Sequence, residues 1–147
     1  ISGLVSDCCT LWPAIAPLLE KRLAVHAMRD ATRGGISAVL NEWAQQTGLS
    51  FCLAQEDIPV SAAVSGFAEI LGIDPYILAC EGVFLLAVAP QDSAAVVHLL
   101  RTHGHPDAVI AGTVEETATT PCVLLRSAYG TRRRMDYPSG DILPRIC

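Results

Sequence analysis

Val83-Phe84-Leu85-Leu86-Ala87-Val88-Ala89 is the longest unbroken apolar run of the sequence. A short continuous apolar run is typical of a β-strand that is buried on both faces. It is far too short to span a bilayer, which needs about 20 apolar residues. We therefore expect this run to form the most buried strand of a folded domain, and we expect no membrane association.

Helical periodicity surrounds this strand on both sides along the chain. Apolar residues at helical spacing predict helices over 11–22, 36–47, 60–71 and 91–102. Thr10 is expected to cap the first helix, and Gly48 and Gly72 to end the second and third. Strands are predicted over 23–28, 50–54, 108–115, 122–126 and 131–137, with 108–115 and 122–126 paired. This order of elements predicts an α+β fold (an α/β sandwich), in which a mixed β-sheet is flanked by helices.

Composition narrows the function classes. The 147 residues fit one domain with its own core, and the formal charge of −5 argues against general nucleic-acid binding. Charged residues make up 17%, against about 25% in typical domains, which suggests a surface that a partner normally covers. The six cysteines include no C-x-x-C pair, so we expect free thiols and a cytoplasmic location. Because the chain begins at Ile1 without a secretory pattern, we interpret it as part of a longer protein.

Arg29-Asp30-Ala31-Thr32-Arg33-Gly34-Gly35 is the densest polar cluster between apolar elements. Two glycines at the start of a helix let another backbone or a phosphate approach, and free N–H groups there favour an anion. Arg29 and Arg33 could pair with a carboxylate or a phosphate. The simpler alternative is a strand-to-helix turn held by its own salt bridge. Spacing alone favours that alternative, since the stretch is neither a Walker loop nor a G-x-G-x-x-G motif.

Other polar groups are weaker candidates. Glu81, in Ala79-Cys80-Glu81-Gly82, precedes the apolar run and would suit a general base if partly desolvated, although an exposed glutamate is the simpler interpretation. His98, His103 and His105 lie within eight residues but have no cysteine nearby in sequence, so we expect no metal site. Arg132-Arg133-Arg134 is most simply a solvated strand or loop; the alternative is docking of an acidic partner or a nucleotide phosphate.

The chain ends in Pro144-Arg145-Ile146-Cys147. A terminal cysteine carries its thiol at the most mobile point of a chain, and the last ten residues could span roughly 33 Å when extended. The thiolate is the reactive form, so this thiol needs a base or a cation from elsewhere to act as a nucleophile. For the tail taken alone, a frayed end without function is an equally good interpretation.

Together these stretches resemble the HypE family of hydrogenase maturation proteins. Met28 to Gly35, Ala79 to Gly82 and the cysteine-ended tail are similar to motifs of that family's C-terminal domain. The likeness runs from about Leu11 to the C-terminus. The family belongs to the aminoimidazole-ribonucleotide-synthetase-like (AIR-synthetase-like) superfamily, whose other members share the two internal motifs loosely. The cysteine-ended tail is the specific part of the resemblance.

The resemblance implies an ATP-dependent carbamoyl dehydratase that acts in [NiFe]-hydrogenase maturation. In that family the carbamoyltransferase HypF loads a carbamoyl group onto the terminal cysteine, and dehydration converts the group to a thiocyanate. The cyano group then passes, as a cyanide ligand, to iron on the HypC–HypD scaffold. Cys147 is thereby implied as the acceptor and Glu81 as a catalytic base. Pro144, Arg145 and Ile146 are implied as parts of the moving tail.

The same resemblance implies a nucleotide site and a domain organisation. The residues that match the family's nucleotide-site turn are Arg29, Asp30, Thr32, Arg33, Gly34 and Gly35. Mg-ATP would be held mainly by an N-terminal domain, absent from this chain, that also makes a homodimer. The predicted segments are an upstream remnant at 1–10, the AIR-synthetase-like C-terminal domain at 11–137 and a flexible tail at 138–147. This fragment alone is expected to be inactive.

The sequence departs from the family pattern at three positions. Ala31 stands where a proline is usual, and Cys80 and Val83 replace a common asparagine and lysine. Two other functions remain open. The chain could be a docking module that presents Cys147 to partners without catalysis. It could also be another ATP-dependent enzyme of the superfamily, such as a selenophosphate or purine-pathway enzyme, although the terminal cysteine argues against that reading.

Overall fold

The computed structural model describes residues 6–117 and 119–139 of the chain. In this part the helices are α1 (Trp12–Glu20), α2 (Gly35–Thr47), α3 (Ala62–Leu71) and α4 (Ser93–Thr102). The strands are β1 (Val25–Asp30), β2 (Ser50–Ala54), β3 (Phe84–Val88), β4 (Gly112–Glu115), β5 (Val123–Arg126) and β6 (Arg132–Arg134). Short 3₁₀ turns cover Gln55–Asp57, Pro75–Ile77 and Pro90–Asp92. Each predicted helix and strand has a counterpart; β2 has the predicted ends, and the ends of the others are shifted.

The strands form two sheets where the sequence predicts one. A mixed sheet has the order β4-β2-β5-β6, in which β2 is parallel to β5 and antiparallel to β4. β1 and β3 form a separate antiparallel pair. The predicted pairing of 108–115 with 122–126 is wrong, because β2, whose residues are all buried, takes the place between them. The α+β class, with mixed strand directions and flanking helices, is confirmed.

Two hydrophobic clusters lie on the two faces of β3. Leu85 and Ala87 pack on the larger cluster, which α2, β2 and β5 share. The alternate residues of β3 pack on the smaller cluster, which α1 and α4 build. Both faces are therefore apolar, as predicted, but every residue of β3 is only partly buried. Complete burial was the wrong expectation because, in the described part of the chain, β3 has β1 as its single strand neighbour.

The predicted glycine ends of α2 and α3 are confirmed, whereas the predicted N-cap of α1 is wrong. The helix begins at Trp12, so Thr10 lies too far upstream to cap it, and Leu11 occupies the cap position without a side-chain bond. α2 and α3 end at Gly48 and Gly72, which have φ angles of +73° and +67°, as predicted. Among the described residues, no helix is long and apolar enough to cross a membrane.

Candidate functional site

The turn after β1 lies directly against the stretch that precedes β3. The backbone N–H of Ala31 donates to the carbonyl oxygen of Val83, and that of Cys80 donates to the carbonyl oxygen of Ala31, each at 2.9 Å. These bonds continue the ladder of β1 and β3 beyond its last paired residues. Two motifs that are far apart in the sequence are therefore neighbours in the fold.

Gly34 is the N-cap of α2 and Gly35 is its first residue, and neither position has room for a side chain. Their φ angles are +77° and +62°, in the left-handed region that favours glycine. A Cβ atom on Gly35 would lie 2.5 Å from the carbonyl oxygens of both Tyr76 and Leu78. The glycine is therefore required by the close approach of the protein's own backbone at this helix start.

The charged residues of the turn divide into a paired and an exposed group. Arg29 forms an ion pair with Glu42 of α2, so the expected salt bridge within the turn is replaced by one that ties β1 to α2. Because β1 runs on to Asp30, the turn itself covers only 31–34 instead of 29–35. The remaining polar side chains of the motif are Asp30 and Arg33, which are exposed, and Thr32, which is half-buried.

Glu81 is exposed, which agrees with the simpler of its two interpretations. The backbone N–H groups of the residues on either side of Glu81 are both hydrogen-bonded, which fixes its position. The N–H of Cys80 is bonded to the turn, and the N–H of Gly82 donates to Asp7 Oδ2 at 3.2 Å. A Cβ atom on Gly82 would lie 1.7 Å from the carbonyl oxygen of Asp7, so only glycine lets the two segments approach. The Glu81 carboxylate is thereby presented to solvent beside the turn.

Cys80 is half-buried next to Glu81, and its Sγ lies 3.4 Å from the carbonyl oxygen of Leu78. Burial raises the pKa of the Cys80 thiol, and the nearby carboxylates of Asp7 and Glu81 raise it further. The thiol is therefore protonated at neutral pH and a poor nucleophile. Cys80 supplies neither a cation nor a reactive sulfur to the neighbouring glutamate.

The three histidines over 98–105 have different environments. His103 Nδ1 lies 2.8 Å from the carbonyl oxygen of Leu99, and the ring of His105 packs edge-on against Phe84 at 5.6 Å between centroids. His98 is exposed. Within residues 6–117 and 119–139, no three His, Cys, Asp or Glu side chains are placed to hold a metal ion.

Arg132–Arg134 form the exposed strand β6, so the interpretation of this run as a solvated strand is confirmed. Arg133 is bonded to Asp74 at 2.9 Å and lies 5.9 Å from the centre of the Tyr76 ring. Burial raises the pKa of the Tyr76 hydroxyl; Asp74 adds to this shift and Arg133 opposes it. These three residues line an open cleft of roughly 500 Å³ beside α3.

The predicted tail residues Pro144, Arg145, Ile146 and Cys147 lie outside the described residues. The segment that leads to them, 135–139, crosses the first turns of α2. Pro138 Cγ would lie 3.0 Å from a Cβ atom on Gly34. The described chain therefore approaches its end beside the turn of 31–34.

Sequence reasoning missed three polar residues of α2 that contact this segment or Arg29, namely Ser37, Asn41 and Glu42. Asn41 is 6% exposed and Ser37 is 0% exposed. The available signal was a pair of polar residues, Asn41 and Glu42, inside an otherwise apolar stretch over 38–44. A buried polar side chain requires a partner, and here the partner is backbone from the other end of the chain.

The family of AIR synthase related proteins, C-terminal domain, matches residues 5–121. Carbamoyl dehydratase HypE of Escherichia coli (strain K12) is 40% identical over 144 residues, which make up 98% of this chain and 42% of that protein. The chain thus spans about two fifths of the length of this curated relative.

Two solved structures have the same fold. Hydrogenase maturation protein HypE in complex with ATP superposes with a TM-score of 0.92 at 29% identity, over 100% of this chain and 45% of that one. HypE in a HypE–HypF complex superposes with a TM-score of 0.87 at 30% identity, over 93% of this chain and 44% of that one. The similarity therefore includes the elements that carry the turn and Glu81.

Proposed function

The chain belongs to the family of AIR synthase related proteins, C-terminal domain, and we propose that it is the domain of a HypE-type carbamoyl dehydratase that carries the acceptor thiol, Cys147. The observation that carries this proposal is the meeting of three stretches at one edge of the fold. The turn at 31–34 is bonded to the stretch before β3, and the segment leading to the tail passes Gly34.

The proposed reaction has two stages, of which the first loads the thiol. The sulfur of Cys147 attacks the carbonyl carbon of a carbamoyl donor, forms an S–C bond and displaces the donor's leaving group with its electron pair. The thiol proton is lost to a base. The product is a thiocarboxamide on Cys147, which we propose is carried by the tail between a partner and this domain.

The second stage removes the elements of water. The carboxamide oxygen attacks the γ-phosphorus of ATP and ADP leaves, so the oxygen becomes part of a good leaving group. The nitrogen gives up its two protons, the C–O bond breaks and phosphate departs, leaving S–C≡N. ATP and the thiocarboxamide thus become ADP, phosphate and a thiocyanate, without any oxidant or reductant.

We assign the proton transfer from nitrogen to Glu81, whose exposed carboxylate stands beside the turn. The exposed guanidinium of Arg33 suits a phosphate of ATP, with Asp30, Thr32, Gly34 and Gly35 shaping the same turn. Arg29 acts through its ion pair with Glu42, which holds the turn in place. Mg²⁺ would accompany ATP, and we place most of its ligands and those of the nucleotide in a preceding domain.

The partners follow from the two stages. A carbamoyltransferase of the HypF type would load Cys147, and a HypC–HypD scaffold would hold the iron that receives the cyanide ligand. The existence of a HypE–HypF complex supports the first of these assignments. We propose that the full-length protein works as a homodimer in the cytoplasm, and that the 147-residue chain alone does not turn over.

The test is mass spectrometry of the C-terminal peptide during incubation of the full-length protein with HypF, carbamoyl phosphate and ATP. A carbamoyl adduct on Cys147 that forms first and then loses water is the expected result, and Cys147→Ser should remain unmodified. An unmodified Cys147 in the presence of active HypF would reject the proposal. An adduct that never loses water, in the full-length protein with ATP, would leave this chain as a docking module.

A further inference from the structure

Three consecutive residues after β6 are each bonded to α2. Asn41 Nδ2 donates to the carbonyl oxygen of Met135 at 2.9 Å, and Ser37 Oγ donates to that of Asp136 at 2.7 Å. The Tyr137 hydroxyl donates to Glu42 Oε1 at 3.4 Å. The segment 135–137 is therefore fastened along the first two turns of α2.

The residues that make these contacts are buried, so the contacts are part of the hydrophobic core. Ser37 is 0% exposed, Asn41 6% and Met135 2%. Asn41 Nδ2 also donates to the carbonyl oxygen of Ser37, one helical turn earlier. If the segment detached, the Ser37 hydroxyl and the Asn41 amide would lose these partners and Met135 would leave the core. The contact therefore involves buried groups of the core, unlike that of an ordinary surface loop.

The segment 135–137 also contacts the candidate site, through Glu42 and through the residue that follows Tyr137. Glu42, which accepts from Tyr137, also holds Arg29 at the end of β1. Directly after Tyr137, Pro138 packs at Gly34, at the turn itself. Cys147 lies nine residues beyond Pro138, and a chain of that length spans at most roughly 30 Å.

We propose that Ser37, Asn41 and Glu42 form a tail anchor, a set of positioning residues that fixes the origin of the C-terminal tether beside the turn. This inference rests on the proposed role of Cys147. The effective concentration of a tethered group falls with about the −3/2 power of tether length. A fixed origin at Pro138 therefore keeps the loaded thiol concentrated around Glu81 and the turn, where the second stage takes place.

The anchor can be released without touching the turn, Glu81 or the tail. The triple variant Ser37→Ala, Asn41→Ala, Tyr137→Phe removes the side-chain bonds to 135–137. Because the N–H of Met135 stays bonded to the carbonyl oxygen of Val123, the tether lengthens from nine residues to the 12 residues of 136–147. A milder double variant, Ser37→Ala with Tyr137→Phe, keeps the buried amide and tests the same point if the triple variant folds poorly. Ser127→Ala is the matched control, because it removes a hydroxyl whose partner, Thr131 Oγ1, lies in the loop between β5 and β6.

Two readouts on the full-length protein separate positioning from a structural role. The rate of tryptic cleavage after Arg134 should rise in both anchor variants and not in Ser127→Ala. In the loaded protein, water loss in the presence of ATP should slow about 1.5-fold, by tether length alone. Adduct formation by HypF takes place on a partner and does not depend on the turn, so it should proceed at the rate of the parent.

The outcomes distinguish this inference from the function it depends on. A parent protein that forms no adduct would overturn the proposed function, and the tail anchor with it. Suppose that the parent reacts normally and that the anchor variants are cleaved faster but lose water at the parent rate. That result would overturn the tail anchor alone. Equal slowing of adduct formation and water loss would also overturn it, because that result indicates general destabilisation.

Discussion

α2 and α3 look alike in sequence but have different environments in the fold. Both were predicted from apolar residues at helical spacing, and both end at a left-handed glycine. α2 buries eight of its residues against the mixed sheet and the 3₁₀ turn at 75–77. α3 buries only Ala68, and Phe67, Leu71 and Ile70 remain 54%, 55% and 82% exposed.

This difference places the candidate site beside the more buried of the two helices. α2 begins at the turn, pairs with Arg29 and holds the segment that leads to the tail, so its burial fixes all three. Helical periodicity identifies an apolar face, but it does not tell whether the same chain covers that face. The expectation of a normally covered surface is consistent with the exposed apolar residues of α3.

Gly35→Ala against Gly66→Ala is expected to give the largest contrast between the two helices. At Gly35 a methyl group would meet two carbonyl oxygens at 2.5 Å, at a φ of +62°. We expect a loss of about 4 kcal/mol, from the left-handed conformation and overpacking together. Nothing lies within 4 Å of a Cβ atom on Gly66, so alanine there should stabilise α3 by roughly 0.5–1 kcal/mol. Urea denaturation of both variants measures the change in the free energy of unfolding. Equal changes would contradict the difference in environment between α2 and α3.

Leu40→Ala against Ile70→Ala tests the burial difference itself. Leu40 is 4% exposed in the larger cluster, so its truncation should lower the free energy of unfolding by about 3 kcal/mol. Ile70 is 82% exposed, and its truncation should change that free energy by less than about 0.5 kcal/mol. Thermal and chemical unfolding provide the comparison. A large loss at Ile70 would mean that the face of α3 is covered, for example by self-association.

The elements and the fold class could be predicted from the sequence, because periodicity, glycine caps and apolar runs are local signals. The strand order could not, since β2 lies between two later strands and β1 pairs with β3 in a separate sheet. The turn and Glu81 were identified as separate motifs. Their contact follows from the register of β1 and β3, and single-residue register is a non-local property that no motif records.

Ser61→Ala should have a smaller effect, and one that is confined to α3. Ser61 Oγ accepts from the N–H of Val64 at 3.2 Å and caps the helix. Loss of a serine cap costs about 1 kcal/mol, and α3 has few buried contacts to compensate. We expect faster amide hydrogen exchange in α3 with unchanged exchange in α2. Faster exchange in both helices would show that they unfold as one unit.

The smallest expected effect is a pH dependence that comes from Cys80. Its pKa is raised in the folded protein, chiefly by burial. The stabilisation from the protonated thiol is therefore complete below the ordinary thiol pKa of about 8.5 and is lost as pH rises from there to the folded value. As the pH rises from neutral to about 10, the free energy of unfolding should fall less for Cys80→Ala than for the parent protein. Cys8→Ala, at an exposed position, is the control, and parallel curves for parent and Cys80→Ala would contradict the assignment.

The contacts of α2 with the chain that leads to the tail could not be predicted from the sequence. They are made by Ser37, Asn41 and Glu42. Their side chains are ordinary helix-surface types, and their role arises only because chain from the far end lies across α2. Nothing local predicts that contact, since the residues involved are separated by more than 90 positions.

The most direct test of the account is the fate of the loaded thiol in full-length protein carrying Glu81→Gln. After incubation with HypF, carbamoyl phosphate and ATP, the mass of the Cys147 peptide should show a carbamoyl adduct that accumulates and does not lose water. Such an adduct would place the second stage at the edge formed by the turn and Glu81. Water loss at the parent rate would contradict that assignment and would locate the chemistry elsewhere.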